Sequence, residues 1–498
     1  MSIGRVWWRR ILKALGTLAV LAAVLGAVAW YKVFRVVPQP AFANEEMRFK
    51  YGSLGSEADR GIPYWIWLVL PRVFPDLLPG PGGYRSLGLP WEPGQELPVG
   101  FALKTVGFPR VTNNCAVCHT ATYRTREDEL PRIVTGGPAH TSDVQANIRF
   151  LTRCASDPRW NADILLDAIS QVYGLSWLDK LLYRYALIPF TKRALLQQAK
   201  QFEWMDRPGK PHWGPGRDDP MNLTKYFMTS MPEDQSVGQA DFPSIWNLKV
   251  RKGDSLLLNW SGDTPAVRSV LIDSALGLGA PPGEPFLKRM AELDDFLSAL
   301  PPPPFPPEFP VDSRLAAAGA PVYEQHCADC HEPGRSTTNK VVPIEEIGTD
   351  RERMDTWTQA AADQANRKVK EMGIIRPDMV KNFGYVSPPL DGVWLRAPYL
   401  HNGSVPTLRA LLDPAEKRPR TFVRGYDVYD PVARGFRSDP AELGFEGDPP
   451  ALRPGARRRT GLFLHDTTRR GDGNGGHLYG TTLSEAEKAS LLEYLKTK

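Results

Sequence analysis

The pattern Cys-x-x-Cys-His occurs twice, at Cys115-Ala116-Val117-Cys118-His119 and at Cys327-Ala328-Asp329-Cys330-His331. This spacing suits covalent attachment of a c-type haem. Two thiols form thioethers to the vinyl groups, and the next residue offers an imidazole to the iron. The chain has five cysteines and four lie in these two motifs, so chance recurrence is a poor explanation. A zinc site would need a second ligand pair close by, and neither motif has one. The expectation is two covalently bound haem c groups, one on Cys115, Cys118 and His119, the other on Cys327, Cys330 and His331. A chain wrapped around flat macrocycles needs many loops, and its 47 prolines and 43 glycines agree with that. The expected fold class is mainly α: two loop-rich cytochrome c-type haem domains preceded by one N-terminal transmembrane or signal helix.

The net charge of +5 misleads. Residues 1–35 hold six basic residues and no acidic one; subtracting these six from 61 leaves 55 basic against 56 acidic. The excess belongs to the N-terminus and gives no footprint for nucleic acid. There a basic start, Arg5 to Lys13, precedes an uncharged run from Ala14 to Tyr31, about 27 Å long as a helix and close to the hydrocarbon thickness of a bilayer. Positive residues stay cytoplasmic, so the remainder is expected to face the periplasm. Ala27-Val28-Ala29 offers a cleavage site for a signal peptide. Lys32, Arg35, Trp30 and Tyr31 instead suit an uncleaved inner-membrane anchor, the favoured reading.

Beyond residue 35 the divisions read as follows. Residues 44–300 form a first haem domain, 301–311 a proline-rich linker with seven prolines in its first ten positions, and 312–498 a C-terminal cytochrome c domain. The apolar stretch Ile62 to Pro71 is too short to span a membrane. It reads as a buried strand or short helix, or else as an apolar surface near the membrane. Asp163 to Met205 has a helical pattern broken near Gly174 and Pro189, with Trp177, Leu178, Leu181, Leu182 and Tyr185 at helical spacing. A helix over Ser313 to Gln325 runs into Cys327. Ser484 and Glu487 predict a capping box that opens a final helix.

The sixth position on each iron separates an electron carrier from an enzyme, because an open site admits O2 or peroxide. For the second haem, His477 in Gly473-Asn474-Gly475-Gly476-His477 is the expected partner, since a glycine-rich loop lets backbone approach the macrocycle closely; His401 is the runner-up and His465 is expected at the surface. For the first haem, His140, His212, Met205, Met221, Met228, Met231 and Met290 are all available, and none sits in a context that demands ligation. An open distal site near Phe242, Trp246 and Trp260 is preferred, and these three are the candidate pocket residues. Cys154 reads as a small buried residue.

The run Ala397-Pro398-Tyr399-Leu400-His401-Asn402-Gly403-Ser404-Val405-Pro406-Thr407-Leu408 resembles the signature of bacterial dihaem cytochrome c peroxidases and their relatives. Arg418-Pro419-Arg420-Thr421-Phe422, Asp430-Pro431, Gly476-His477, Asp241 to Asn247 and Gly136 to His140 resemble its rubber-oxygenase branch. That resemblance implies an active first haem with His119 as proximal ligand, a second haem held by His331 and His477, and Trp246 in the pocket or between the haems. It also raises a calcium ion between the haems, although no loop signature for one is present. This chain is shorter and carries an anchor, so no substrate is carried over. The resulting expectation is an exported haem-dependent oxidoreductase, dioxygenase- or peroxidase-type, acting on a lipophilic small molecule, with the second haem relaying electrons from a small redox protein or quinol-linked donor. The alternatives are a dihaem peroxidase reducing H2O2 and a non-enzymatic, membrane-anchored electron carrier.

Overall fold

The computed structural model describes residues 3–253, 256–447, 451–452 and 461–498. Helix α1, Ile3–Phe34, is long and apolar enough to cross a membrane and is not buried against the protein. It runs almost directly into β1, Val36–Val37, the edge of an antiparallel four-stranded sheet. The other strands are β2 (Ile62–Pro63), β3 (Phe101–Val106) and β4 (Phe108–Asn113), in the order β1-β3-β4-β2. Val36 pairs with Val106, and the Gly107 amide donates to the Arg35 carbonyl oxygen at 2.7 Å. Gly107 has φ +73°, and a Cβ there would lie 2.2 Å from the Val33 oxygen. Only glycine lets the β3–β4 turn press this closely on the end of α1.

The apolar stretch after residue 61 is core. β2 leads into α2, Tyr64–Val73, whose Ile66, Trp67, Val69 and Leu70 are fully buried. They pack with α3, Val144–Ser156, around Phe150 and Cys154. Cys154 is thus a small core residue, and burial pushes its thiol pKa up, away from redox reactivity.

The helical region beyond residue 162 departs from its sequence pattern at Pro189. Helix α4, Trp177–Leu182, continues without a gap through a π-helical turn, Tyr183–Leu187, into α5, Ile188–Gln201. Proline lacks a donor and crowds the preceding turn; the wider π turn precedes it, and the helix is not broken.

In the C-terminal half, α6 (Ser313–His326) delivers the chain to Cys327 and packs against the terminal helix α7 (Glu485–Leu495), with the Tyr323 and Tyr494 rings 5.2 Å apart. The Ser484–Glu487 capping box is present. The structure is mixed helix and sheet, which corrects the mainly α expectation. Short two-stranded ladders such as β5 (Thr120–Tyr123) with β6 (Arg132–Thr135) carry hydrogen bonds that loops alone would leave unmade. The proline-rich segment is not a free spacer. Phe305 and Phe309 pack on Trp394 and Tyr429, and the Trp394 indole N–H donates to the Pro303 carbonyl oxygen.

Residues from before and after that segment share cores. Ala121, Tyr123 and Trp246 pack with Trp394, Tyr399 and Tyr429. Two buried ion pairs, Arg217–Asp472 and Arg424–Asp241, also cross between them. Breaking such a pair on one side costs roughly 3–5 kcal/mol, because a charge is left buried and unpaired.

Candidate haem sites

Each Cys-x-x-Cys-His motif sits on a single helical turn. At the first, Cys115–Val117 forms a 3-10 turn capped by Asn114, whose side-chain oxygen accepts from the Ala116 amide. At the second, Ala328–His331 forms one turn after α6. In both, the turn keeps the two cysteines and the histidine close in space, and all four cysteines and both histidines are part-exposed.

The two histidines are oriented in the same way. His119 Nδ1 lies 3.0 Å from the Pro243 carbonyl oxygen, and His331 Nδ1 lies 2.7 Å from the Pro388 carbonyl oxygen. A carbonyl oxygen can only accept, so Nδ1 carries the proton and Nε2 keeps its lone pair for iron. Burial holds the His119 pKa down at about 4 and lowers that of His331 as well, so both are neutral, as a metal ligand must be.

The second site has a facing imidazole. The His331 and His477 ring centroids are 6.3 Å apart. A ligating nitrogen lies about 2.0 Å from its metal and about 1.1 Å from its ring centre, so two imidazoles across one iron have centroids about 6 Å apart. The pair therefore fits a bis-histidine iron. Burial first, then His331, lowers the His477 pKa to about 4.

A dense set of contacts aims His477. Its φ is +48°, left-handed backbone that a non-glycine residue adopts only when its surroundings impose it. The His477 amide donates to the Ile347 carbonyl oxygen at 2.7 Å. The Arg418 guanidinium donates to the carbonyl oxygens of Leu411, Asp413, Asn474, Gly476 and His477. Asn402 and Ser404 both donate to the Gly473 carbonyl oxygen. Gly476, at φ +71°, would put a Cβ 2.2 Å from the Gly348 carbonyl carbon. The glycine thus serves close approach to another stretch of backbone, where the sequence suggested approach to the macrocycle.

The first site differs. Among the described residues no second histidine ring faces His119. His140 stacks on Phe436 and His401 on Tyr385, each at 3.9 Å, while His212 Nδ1 accepts from Arg149. His465, expected at the surface, is fully buried against Phe422, because β7 (Thr421–Arg424) pairs with β8 (Phe463–Asp466) and carries it inward. Met205 packs with Trp204 and Trp213, Met221 and Met231 with the Trp357 cluster, and Met290 lies fully in the core. Met228, part-buried, borders the same cluster as Cys115, and Met290 lies inside that cluster.

The three candidate pocket residues lie on or against the segment 241–246. Phe242 and Trp246 belong to the segment that backs His119 through Pro243. Trp246 is buried, donates its indole N–H to the Thr135 carbonyl oxygen at 2.7 Å, and lies 5.9 Å from the Arg396 guanidinium. Arg396 donates to the Pro389 carbonyl oxygen at 2.7 Å, beside the Pro388 that orients His331. Trp246 is therefore wedged between the two proximal loops. Trp260 donates to the Asp241 carbonyl oxygen at 2.8 Å, next to Phe242, and packs near Tyr385 and Met354.

Several groups carried no sequence signal. Arg251 and Arg396 both lie beside the second motif with no carboxylate in salt-bridge range among the described residues, and burial, only partly offset by Asp391, lowers the pKa of each to about 10. Arg251 reaches Asn339, nine residues after Cys330. Such a pair fits the carboxylates of a haem. Asp218 has its pKa pushed up to about 7 by burial and then by Asp219, and it acts on Cys118 electrostatically. For calcium, no group of three His, Cys, Asp or Glu converges among the described residues.

Residues 384–423 match the family model described as RoxA-like, cytochrome c-like. That segment holds Pro388, the Ala397–Leu408 run and Arg418, the parts that orient His331 and hold the His477 loop. The chain is 32% identical over 325 residues to the uncharacterized protein y4iM of Sinorhizobium fredii, covering 58% of this chain and 72% of that protein. It belongs to the y4iM family. It is also 31% identical over 260 residues to the uncharacterized protein y4iJ of the same organism, where it covers 41% of the relative's length. A cytochrome c-like domain carries covalently bound haem c, so the family match agrees with a haem-based oxidoreductase.

Proposed function

We propose that this chain is an exported, membrane-anchored dihaem c-type cytochrome acting as an oxidoreductase. The haem at Cys115, Cys118 and His119 is the reactive one, and the haem at Cys327, Cys330, His331 and His477 relays electrons to it. One observation carries the reading: His331 faces a second imidazole at ligand-pair distance, and His119 faces none among the described residues. Bound haem c would supply redox-active iron, and an iron lacking a sixth protein ligand admits O2 or peroxide.

The chain's own residues set up that difference. The Pro243 and Pro388 carbonyls fix the tautomers of His119 and His331. Arg418 and the Asn402–Ser404 turn keep His477 aimed inward. Trp246 and Arg396 join the two proximal loops and offer the electron route between the sites. Residues 44–300 are the unit of the first haem and 312–498 that of the second, with 301–311 strapped across the latter. The substrate class is a lipophilic small molecule. Electrons come from a small redox protein or a quinol-linked donor in the periplasm.

The test is a spectrum of the dithionite-reduced holoprotein with and without CO. CO binding to about half of the haem is expected, and the oxidised protein should give a low-spin electron paramagnetic resonance signal from the His331–His477 site. No CO shift would refute the reactive first haem. A second reading rests on Met228, which borders the same cluster as Cys115. If its thioether ligates the first iron, the protein is a membrane-anchored electron carrier, and M228L would convert a six-coordinate first haem into a high-spin one.

A further inference from the structure

The sequence pattern marks Trp177 to Tyr185 as an amphipathic helix whose apolar side should find a core, and much of that side does not. Trp177, Tyr185 and Phe190 are 69%, 75% and 68% exposed, and Leu178, Leu181 and Tyr173 beside them are exposed as well. Single exposed apolar residues are ordinary on a protein surface, whereas a contiguous run of large ones marks a contact site.

The run's position identifies its occupant. The membrane-length helix α1 ends at Phe34, and its end is fixed by the β1–β3 pairing and the Gly107 turn, so it leaves the protein in a defined place. At that end Lys32 Nζ lies 2.6 Å from Asp179 Oδ1, on the first turn of α4. Tyr173, which precedes α4, stacks on Trp65 of helix α2 at 3.9 Å, so the start of the apolar run is tied to the folded domain as well as to the end of α1. Basic residues accompany it: Lys180 lies within the run, and Lys192, Arg193 and Lys200 line an open groove on α5. Aromatic and leucine side chains beside lysine and arginine match an interfacial helix, with its apolar side among acyl chains and its cations at anionic headgroups.

We propose that residues 173–190 dock into the same bilayer that α1 crosses, so that the protein lies on the membrane surface through a second, monotopic contact. This rests on the reading of α1 as an uncleaved anchor. The 62–71 stretch is buried, as its first reading had it, so the apolar surface near the membrane falls at 173–190. Such a contact would present the folded domain directly to membrane-dissolved molecules, in keeping with a lipophilic substrate.

The test uses full-length holoprotein in vesicles of phosphatidylethanolamine and phosphatidylglycerol doped with a phospholipid that carries a diazirine on its acyl chain. After illumination, labelled peptides are mapped by mass spectrometry. Label is expected in α1 and in the 173–190 peptides. The exposed triple variant W177E/Y185E/F190E should lose at least tenfold of the 173–190 label while keeping α1 labelling and the haem absorbance. Label confined to α1 would overturn the docking surface, whether that face is bare or covered by a second copy. Label at 173–190 with none in α1 would refute the anchor and the shared-membrane argument with it. Label in neither would refute both.

Discussion

Three buried histidines outside the haem motifs predict how this protein fails in acid. His140, His401 and His465 are 2%, 4% and 0% exposed. Among the described residues, His140 Nε2, His401 Nε2 and both nitrogens of His465 have no hydrogen-bond partner. Burial holds the His140 pKa down at about 3 and those of His401 and His465 well below the usual value. Arginines add to the effect, Arg424 at His140, Arg353 at His401, and Arg217 with Arg424 at His465. In the unfolded chain each imidazole titrates near 6.5. The folded values are depressed, so the unfolded state binds more protons, and stability present above pH 6.5 is lost as the pH falls. Between pH 7.5 and 5.5 each histidine should cost about 1.4 kcal/mol, and the three together about 4 kcal/mol. The assay is guanidinium unfolding of the holoprotein at both pH values, comparing the parent with H465Q, H140Q and H401Q. The comparison cancels the contribution of the axial histidines, which is common to all four proteins. Each variant should lose about 1.4 kcal/mol less than the parent over that interval, whatever its absolute stability. If H465Q loses as much as the parent, His465 is not held neutral in the fold and the reasoning fails.

Further outcomes follow from the second site and its link to the first. G476A should cost at least about 2 kcal/mol, because a left-handed position and a backbone collision are combined, and it should weaken the low-spin signal of the second haem; an unchanged signal would show that the loop does not position His477. R418L should free the 474–477 carbonyls and convert that haem to a high-spin or ligand-exchanged form at neutral pH, read by electron paramagnetic resonance. W246F should keep electron transfer between the haems within about tenfold of the parent, while W246A also leaves a cavity, costs roughly 3–5 kcal/mol and slows transfer much further; equal rates in parent and W246A would exclude this route. D218N should remove a group that is destabilising when ionised, making the protein relatively more stable as pH rises from about 4 to 7, checked by the same unfolding measurement.

The sequence by itself determined what is local. Cys-x-x-Cys-His fixes which thiols and imidazoles belong together because the spacing closes within one helical turn. Ser484 and Glu487 cap the last helix through contacts three residues apart, and a long uncharged run makes α1. The Gly476-His477 loop was also legible as the place of an imidazole facing the second motif, although the glycine's collision partner, Gly348, lies far away in sequence. What only the tertiary structure decided involves contacts over long separations. The carbonyls of Pro243 and Pro388 orient histidines 124 and 57 residues away, and backbone oxygens leave no trace in side-chain pattern. Arg418 reads as one basic residue among 61 until five carbonyls are seen around it. His465 reads as polar and exposed until strand pairing buries it. The 173–190 run has the pattern of a core helix, and periodicity records that a helix has an apolar face without recording what covers it. That depends on which surfaces the rest of the chain brings alongside, and here the chain brings the end of its long apolar N-terminal helix.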